Sequence, residues 1–262
     1  MKLTEFSQAE KLKVLITVKT YPLPSESYLE LVCTAGVRED GRFIRLYPID
    51  YRYQPYYKWY KKYQWIEVYA EKNTKDPRPE TYRPDMTTLK ILGNPLDTKR
   101  NWAERKQYVL ARGAQTMCAL QKIQQKECSL GIIKPREVID FKIEKTEKEW
   151  KPKWQAEIAQ LQLIGPQRKE LEKIPYKFSY VYKCEDSSCK VHTMMIEDWE
   201  ISELFRSLRD KYGDEKIAVD KVRDKYLNKM CSPDIDTHFY VGTALKFGTY
   251  MILGVFWPKK VV

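Results

Sequence analysis

Asp40-Gly41-Arg42-Phe43-Ile44-Arg45-Leu46-Tyr47-Pro48-Ile49 reads as a turn followed by a strand. The Asp-Gly pair favours a tight hairpin turn because glycine adopts positive φ without steric cost. Side chains alternate across the run after it: Phe43, Arg45 and Tyr47 fall on one face, Ile44 and Leu46 on the other. The same reading extends on both sides. Lys13 to Val18 and Tyr28 to Ala35 are short runs rich in β-branched residues. Gln64 to Glu71 alternates again, with Ile66, Val68 and Ala70 on one face and Trp65, Glu67 and Tyr69 on the other. Asn73 to Pro84 carries Pro77, Pro79 and Pro84 and reads as a loop, and Thr88 to Leu92 as a last strand. Short strands in succession with turn signals between them predict a barrel-like or strongly curved sheet.

Beyond this β-rich part, Trp102, Tyr108, Val109, Met117, Leu120 and Ile123 recur at helical spacing, with Gly113 as a break. Ile132 to Glu144 reads as extended and is interrupted by Pro135. Tyr176 to Lys183 reads as a strand. Ile201, Leu204, Phe205 and Leu208 form a helical stripe closed by Gly213, and Asp214 to Met230 a second helix. His238 to Ala244 and Tyr250 to Phe256 read as a hairpin. The expected fold class is α+β, because strands and helices do not alternate strictly. The expected organisation is a β-rich domain over 1–98, a helical and extended connector over 99–165, and an α+β domain over 166–262, with Gly165-Pro166 as the boundary.

The chain has 262 residues, with 47 Lys and Arg against 36 Asp and Glu, a net charge of +11. With 43% hydrophobic and 13% aromatic residues, disorder is excluded as the main state. The longest apolar stretch, Tyr250 to Trp257, has eight residues, against the ~20 a membrane helix needs. The first residues lack the apolar core of a signal peptide, so the expectation is a cytoplasmic protein with reduced cysteines and no membrane partner. Charge of this sign points to nucleic acid.

Gly41 to Trp65 concentrates that signal, with ten aromatic and six basic residues against the single acid Asp50. Aromatic faces stack bases and cations neutralise phosphate, so a sheet bearing both offers a groove for a strand. The candidate contact residues are Arg42, Arg45, Arg52, Tyr53, Tyr57, Lys58, Trp59, Lys61 and Lys62. The same density also fits an aromatic core beneath an ordinary surface, or a protein interface within a larger complex.

Cys184-Glu185-Asp186-Ser187-Ser188-Cys189-Lys190-Val191-His192 places two thiols and an imidazole on one turn, three of the four ligands of a tetrahedral zinc. Cys231 and His238 are the nearest donors for the fourth place. An iron–sulfur cluster using Cys184, Cys189 and two further cysteines is a lesser alternative. Two acidic patterns raise a metal-dependent nuclease with Mg or Mn: Asp140 with Lys142 on a strand, and Asp198 with Glu200 at a helix start. Acids at a helix start also complement its dipole, and Asp198 suits an N-cap. There is no Gly-x4-Gly-Lys-Ser/Thr phosphate loop, no Gly-x-Gly-x-x-Gly and no Gly-x-Ser-x-Gly elbow. The leading expectation is a nucleic-acid-binding protein with a structural metal clip. A nuclease and an interaction subunit are the alternatives.

Overall fold

The computed structural model describes residues 8–24, 30–156, 158, 169–245 and 248–261. Strands β1 (Glu10–Lys19), β3 (Glu30–Val37), β4 (Phe43–Ile49), β5 (Trp65–Lys72) and β6 (Thr81–Pro84) form a ring in which each pairs with two neighbours. β1 pairs antiparallel with β3 and with β5, and β3 with β4. β6 closes the circle, parallel to β4 and antiparallel to β5. The short strands β2 (Leu23–Pro24) and β7 (Lys90–Leu92) add to β3 and β5. The barrel-like expectation holds. One local reading is corrected: Thr81–Pro84, expected as loop, is the closing strand. Pro84 is tolerated at its end because a strand terminus need not donate to the ladder. Tyr28 and Leu29 of an expected strand, and the Gly165-Pro166 boundary, lie outside the described residues.

The alternation read from sequence sorts side chains as expected in β5, where Ile66, Val68 and Ala70 are buried. They join Leu12, Val14, Ile16, Val32, Ile44 and Leu46 inside the barrel. Two single-turn 3-10 helices, Tyr51–Tyr53 and Tyr56–Lys58, follow β4 and turn Tyr51 and Tyr60 into the same core.

After the barrel come α1 (Lys99–Val109) and α2 (Met117–Lys122), separated at Gly113, whose φ of +71° only glycine adopts cheaply. β8 (Leu130–Ile133) and β9 (Pro135–Lys145) are separated at Lys134, and each serves a different sheet. β10 (Tyr176–Cys184) lies between β9 and β11 (His192–Met195). β12 (His238–Thr243) lies between β8 and β13 (Tyr250–Phe256). α3 (Trp199–Tyr212) starts at the N-cap Asp198 and stops at left-handed Gly213. α4 (Glu215–Arg223) runs into a π-helical turn, Asp224–Lys229. Barrel residues Leu15, Val18, Val37 and Tyr63 share one core with Leu130, Ile132, Tyr240, Leu253 and Phe256. The barrel is therefore packed onto the β8–β12–β13 sheet.

That packing relocates several charges. The outer face of β4 is covered, so Arg45 is 1% exposed. Its guanidinium donates to Thr81 Oγ1 (3.2 Å), Ser129 Oγ (2.7 Å) and Ser129 O (3.1 Å). Among the described residues no helix is long and apolar enough to cross a membrane.

Candidate metal centre

The turn after β10 is drawn tight by its own backbone. Asp186 Oδ1 accepts from Ser188 N and Oγ, and Cys189 N donates to Asp186 O. Cys189 thereby comes back over the strand end, and Cys184 N donates to its sulfur at 3.4 Å. His192 opens β11 directly opposite Tyr182, whose ring lies 5.2 Å from the imidazole. The fourth donor arrives from α2. Thr116 caps that helix by accepting from Ala119 N, and buried Met117 and Leu120 fix it against the C-terminal core. Cys118 then faces the turn. The donor atoms of Cys118, Cys184, Cys189 and His192 all lie within 4.8 Å of one another.

The spacing fits a tetrahedral ion. Ligands at about 2.3 Å for sulfur and about 2.0–2.1 Å for nitrogen stand roughly 3.5–3.8 Å apart. The Cys118 and Cys184 sulfurs are 3.5 Å apart, and His192 Nε2 is 3.4 Å from one and 3.7 Å from the other. Burial opposes ionisation of Cys184, but backbone N–H groups at Cys118 and Asp186 and the His192 ring bring it down to about 6. Burial pushes Cys118 up to about 12, with its contacts to Cys184 and Cys189 adding to the rise. A bound dication reverses such crowding, since it favours every thiolate at once. The cluster can hold a metal.

The structure brings together Cys184, Cys189 and His192 of the expected set, and neither proposed fourth ligand. Cys231 donates to Tyr226 O (3.3 Å), and His238 Nδ1 is engaged by Asp236 O (2.9 Å). Both sit after the helices, on the path into β12. With three thiols rather than four, the donor set does not match the four-cysteine iron–sulfur pattern.

The acidic candidates lie in two separate places, Asp140 with Lys142 on β9 and Asp198 with Glu200 at the start of α3. Asp140 bonds Arg223 at 2.7 Å, and Lys142 is exposed further along β9. Asp198 is 2% exposed and caps α3 by accepting from Glu200 N at 3.1 Å. Lys62 lies 3.6 Å from Asp198 and 2.8 Å from Glu200. Burial pushes Asp198 up to about 7, and Lys62 only partly offsets it. None of the four belongs to a metal-capable group among the described residues.

Next to the cap, burial pushes Glu197 up to about 7 against a weaker pull from Lys177. A carboxyl raised above its unfolded value, about 4.3, disfavours folding when charged. That cost is absent below the unfolded value and complete above about 7. Glu197→Gln is therefore expected to gain stability over wild type as pH rises from 5 to 8, by about 1–2 kcal/mol. Urea midpoints at the two pH values check this, and a difference that stays constant refutes it.

The expected nucleic-acid contacts separate into two groups. Arg45 is buried, as described. Arg52 holds both oxygens of Glu30 at 3.1 Å, and Tyr53 meets the same carboxylate. Lys58 donates to Met86 O (2.6 Å) and Thr87 O (3.0 Å), Trp59 Nε1 donates to Gln54 O (2.9 Å), and Lys62 is paired with acids. Tyr57, Lys61 and Arg42 are exposed, Arg42 beside Asp40 at 2.6 Å. The aromatic density is in good part core, since closing the barrel required Tyr51 and Tyr60 inside.

No curated protein matches the chain. A solved structure of a murine DNA-binding protein bound with double-stranded DNA aligns over 97% of both chains, at 10% identity and a TM-score of 0.33. Residues 10–111, which span the barrel and α1, match the family model "Domain of unknown function (DUF8758)". Residues 113–262, more than half of the chain and all four donors of the cluster, match "Domain of unknown function (DUF8757)", and the chain belongs to that family.

Proposed function

We propose that the protein binds nucleic acid and that a structural zinc ion pins its C-terminal half. The four converging donors are the observation that carries the metal half of this reading. Three thiolates and an imidazole are a soft set that suits zinc, and four protein ligands leave no open position for chemistry, as in structural sites. The nucleic-acid half is supported by the net charge of +11 and by the exposed Tyr56, Tyr57 and Lys61, which follow β4 in close succession along the chain. Stacking on such rings contributes about 1–3 kcal/mol per base, and each neutralised phosphate adds salt dependence.

The test is binding of labelled single- and double-stranded DNA and RNA over a salt series. Tyr57→Ala with Lys61→Glu is expected to weaken binding at least tenfold and to make the salt dependence shallower by about one phosphate contact. No salt-sensitive binding by the wild-type protein would sink this half of the proposal.

A further inference from the structure

A cavity of about 410 Å³ opens where the barrel meets α3. Tyr51, Trp59 and Trp199 line it, and Tyr56, 70% exposed, flanks it. The Tyr51 and Trp59 rings are 5.2 Å apart, Tyr56 and Trp59 4.9 Å, and Tyr51 and Trp199 meet edge-on at 5.4 Å. Lys19 enters from β1. Its ammonium lies 4.5 Å from the Tyr51 ring centre and 5.2 Å from that of Trp199. Of its three N–H donors, two reach Tyr51 Oη and Tyr60 O, each at 3.2 Å. The third meets no hydrogen-bond acceptor among the described residues. Glu203, which accepts from Trp199 Nε1 at 3.2 Å, adds an acceptor to the same wall.

These features select a ligand class. Aromatic walls suit a flat ring, and the size lies within the ~300–1,000 Å³ of small-ligand pockets. The spare donor of Lys19 suits a keto oxygen, as when lysine reads guanine in a groove. The two guanidinium groups on the wall are already engaged, Arg52 by Glu30 and Arg206 by Glu172 and Glu203, and the carboxylates of Glu170, Glu172 and Glu203 line the same cavity beside Lys19 and Lys169, so an uncharged acceptor suits it better than a phosphate. We propose that the cavity takes a single unpaired nucleobase bearing a keto oxygen, stacked against Trp59 and Tyr56 and hydrogen-bonded to Lys19 Nζ. The nucleic-acid reading supplies only the source of that base.

The experiment is a tryptophan-fluorescence titration of the full chain with inosine and with adenosine. The two are uncharged and differ in carrying a keto or an amino group. Inosine is expected to quench saturably and to bind about tenfold more tightly, the value of one hydrogen bond from a charged donor. Lys19→Met is expected to erase that preference. Tyr56→Ala, a change at the surface that leaves the fold intact, is expected to weaken both nucleosides severalfold. Equal binding or no binding of the two by the wild type, or an inosine preference that survives Lys19→Met, would overturn the proposal. Strand binding measured in parallel separates the two readings. Strands bound without any inosine preference sink the cavity alone. An inosine preference without strand binding supports the cavity and sinks the nucleic-acid reading alone.

Discussion

Serine at position 118 is expected to cost the protein its metal. The purified wild-type chain should carry one zinc ion, and Cys118→Ser should lower the affinity for it more than about a hundredfold. That exceeds the 10–100-fold that even outer-shell changes cause, because a ligating thiolate is lost. Stability should fall as well. Cys118 and Cys184 are 66 residues apart, and the ion ties α2 to the end of β10 across that loop. Treated as a cross-link on the unfolded chain, closure of such a loop contributes at most about 4 kcal/mol. A chelator should move the wild-type unfolding midpoint down towards that of Cys118→Ser and leave the variant where it was. Cys231→Ser, which alters a thiol outside the cluster, should keep full metal content. Metal analysis and denaturant unfolding, each with and without chelator, read these outcomes. Stoichiometric zinc in Cys118→Ser, or an equal chelator shift in both proteins, would rule the centre out.

The position of Cys118 shows where sequence reading stopped. Cys184, Cys189 and His192 were legible because one turn holds them, and turn chemistry is local. Cys118 sits on a short helix whose place is set by the packing of Met117 and Leu120, and nothing in its neighbourhood signals a ligand. The same limit applied to the barrel. β4 and β5 are legible from alternation and β1 and β3 from β-branched composition, whereas β6 is not, because its parallel pairing to β4 is made by a segment flanked with prolines. It applied again to the aromatic stretch. Composition marks Gly41 to Trp65 as unusual, but only the closed ring decides that Tyr51 and Tyr60 point inward while Tyr56 and Tyr57 do not. Arg45 is withdrawn from the surface for a related reason. Alternation assigned it correctly to the face opposite Ile44, and that face is covered by Ser129 from the other half of the chain.

Removal of the Arg78 guanidinium should destabilise the fold as strongly as loss of the metal, and through a different cause. The Asp76–Thr81 stretch has the composition of a surface loop, yet Arg78 and Asp76 are each 5% exposed. Arg78 grips Asp76 with two nitrogens, Nε to Oδ1 at 2.9 Å and Nη2 to Oδ2 at 2.6 Å, and donates from Nη1 to Thr243 O at 2.7 Å. Beside it Glu80 accepts from Ser129 N and Oγ, at 2.8 and 2.6 Å. The loop thus bridges the barrel to β12 and to the start of β8. Arg78→Ala takes the ion-pair partner from a buried carboxylate, which keeps only the residue-78 backbone N–H and the charge of Arg45, and leaves the Thr243 carbonyl without its donor; breaking a buried pair in this way costs about 3–5 kcal/mol. Replacing both partners, Asp76→Asn with Arg78→Met, removes the stranded charge and should cost less than Arg78→Ala alone. The pH dependence has a fixed sign. Burial alone would raise the Asp76 pKa, but its bonds to Arg78 hold it below the usual carboxylate value. In the wild type that contribution is present above the unfolded carboxyl value and fades as pH falls through the folded one. Without the guanidinium that depression shrinks, since only the backbone N–H of residue 78 and the charge of Arg45 still favour the carboxylate. The gap between wild type and Arg78→Ala should therefore widen from pH 4 to pH 7 in urea unfolding. A gap that stays constant, or a double variant as unstable as Arg78→Ala, would mean that the loop is held by its backbone and not by this ion pair.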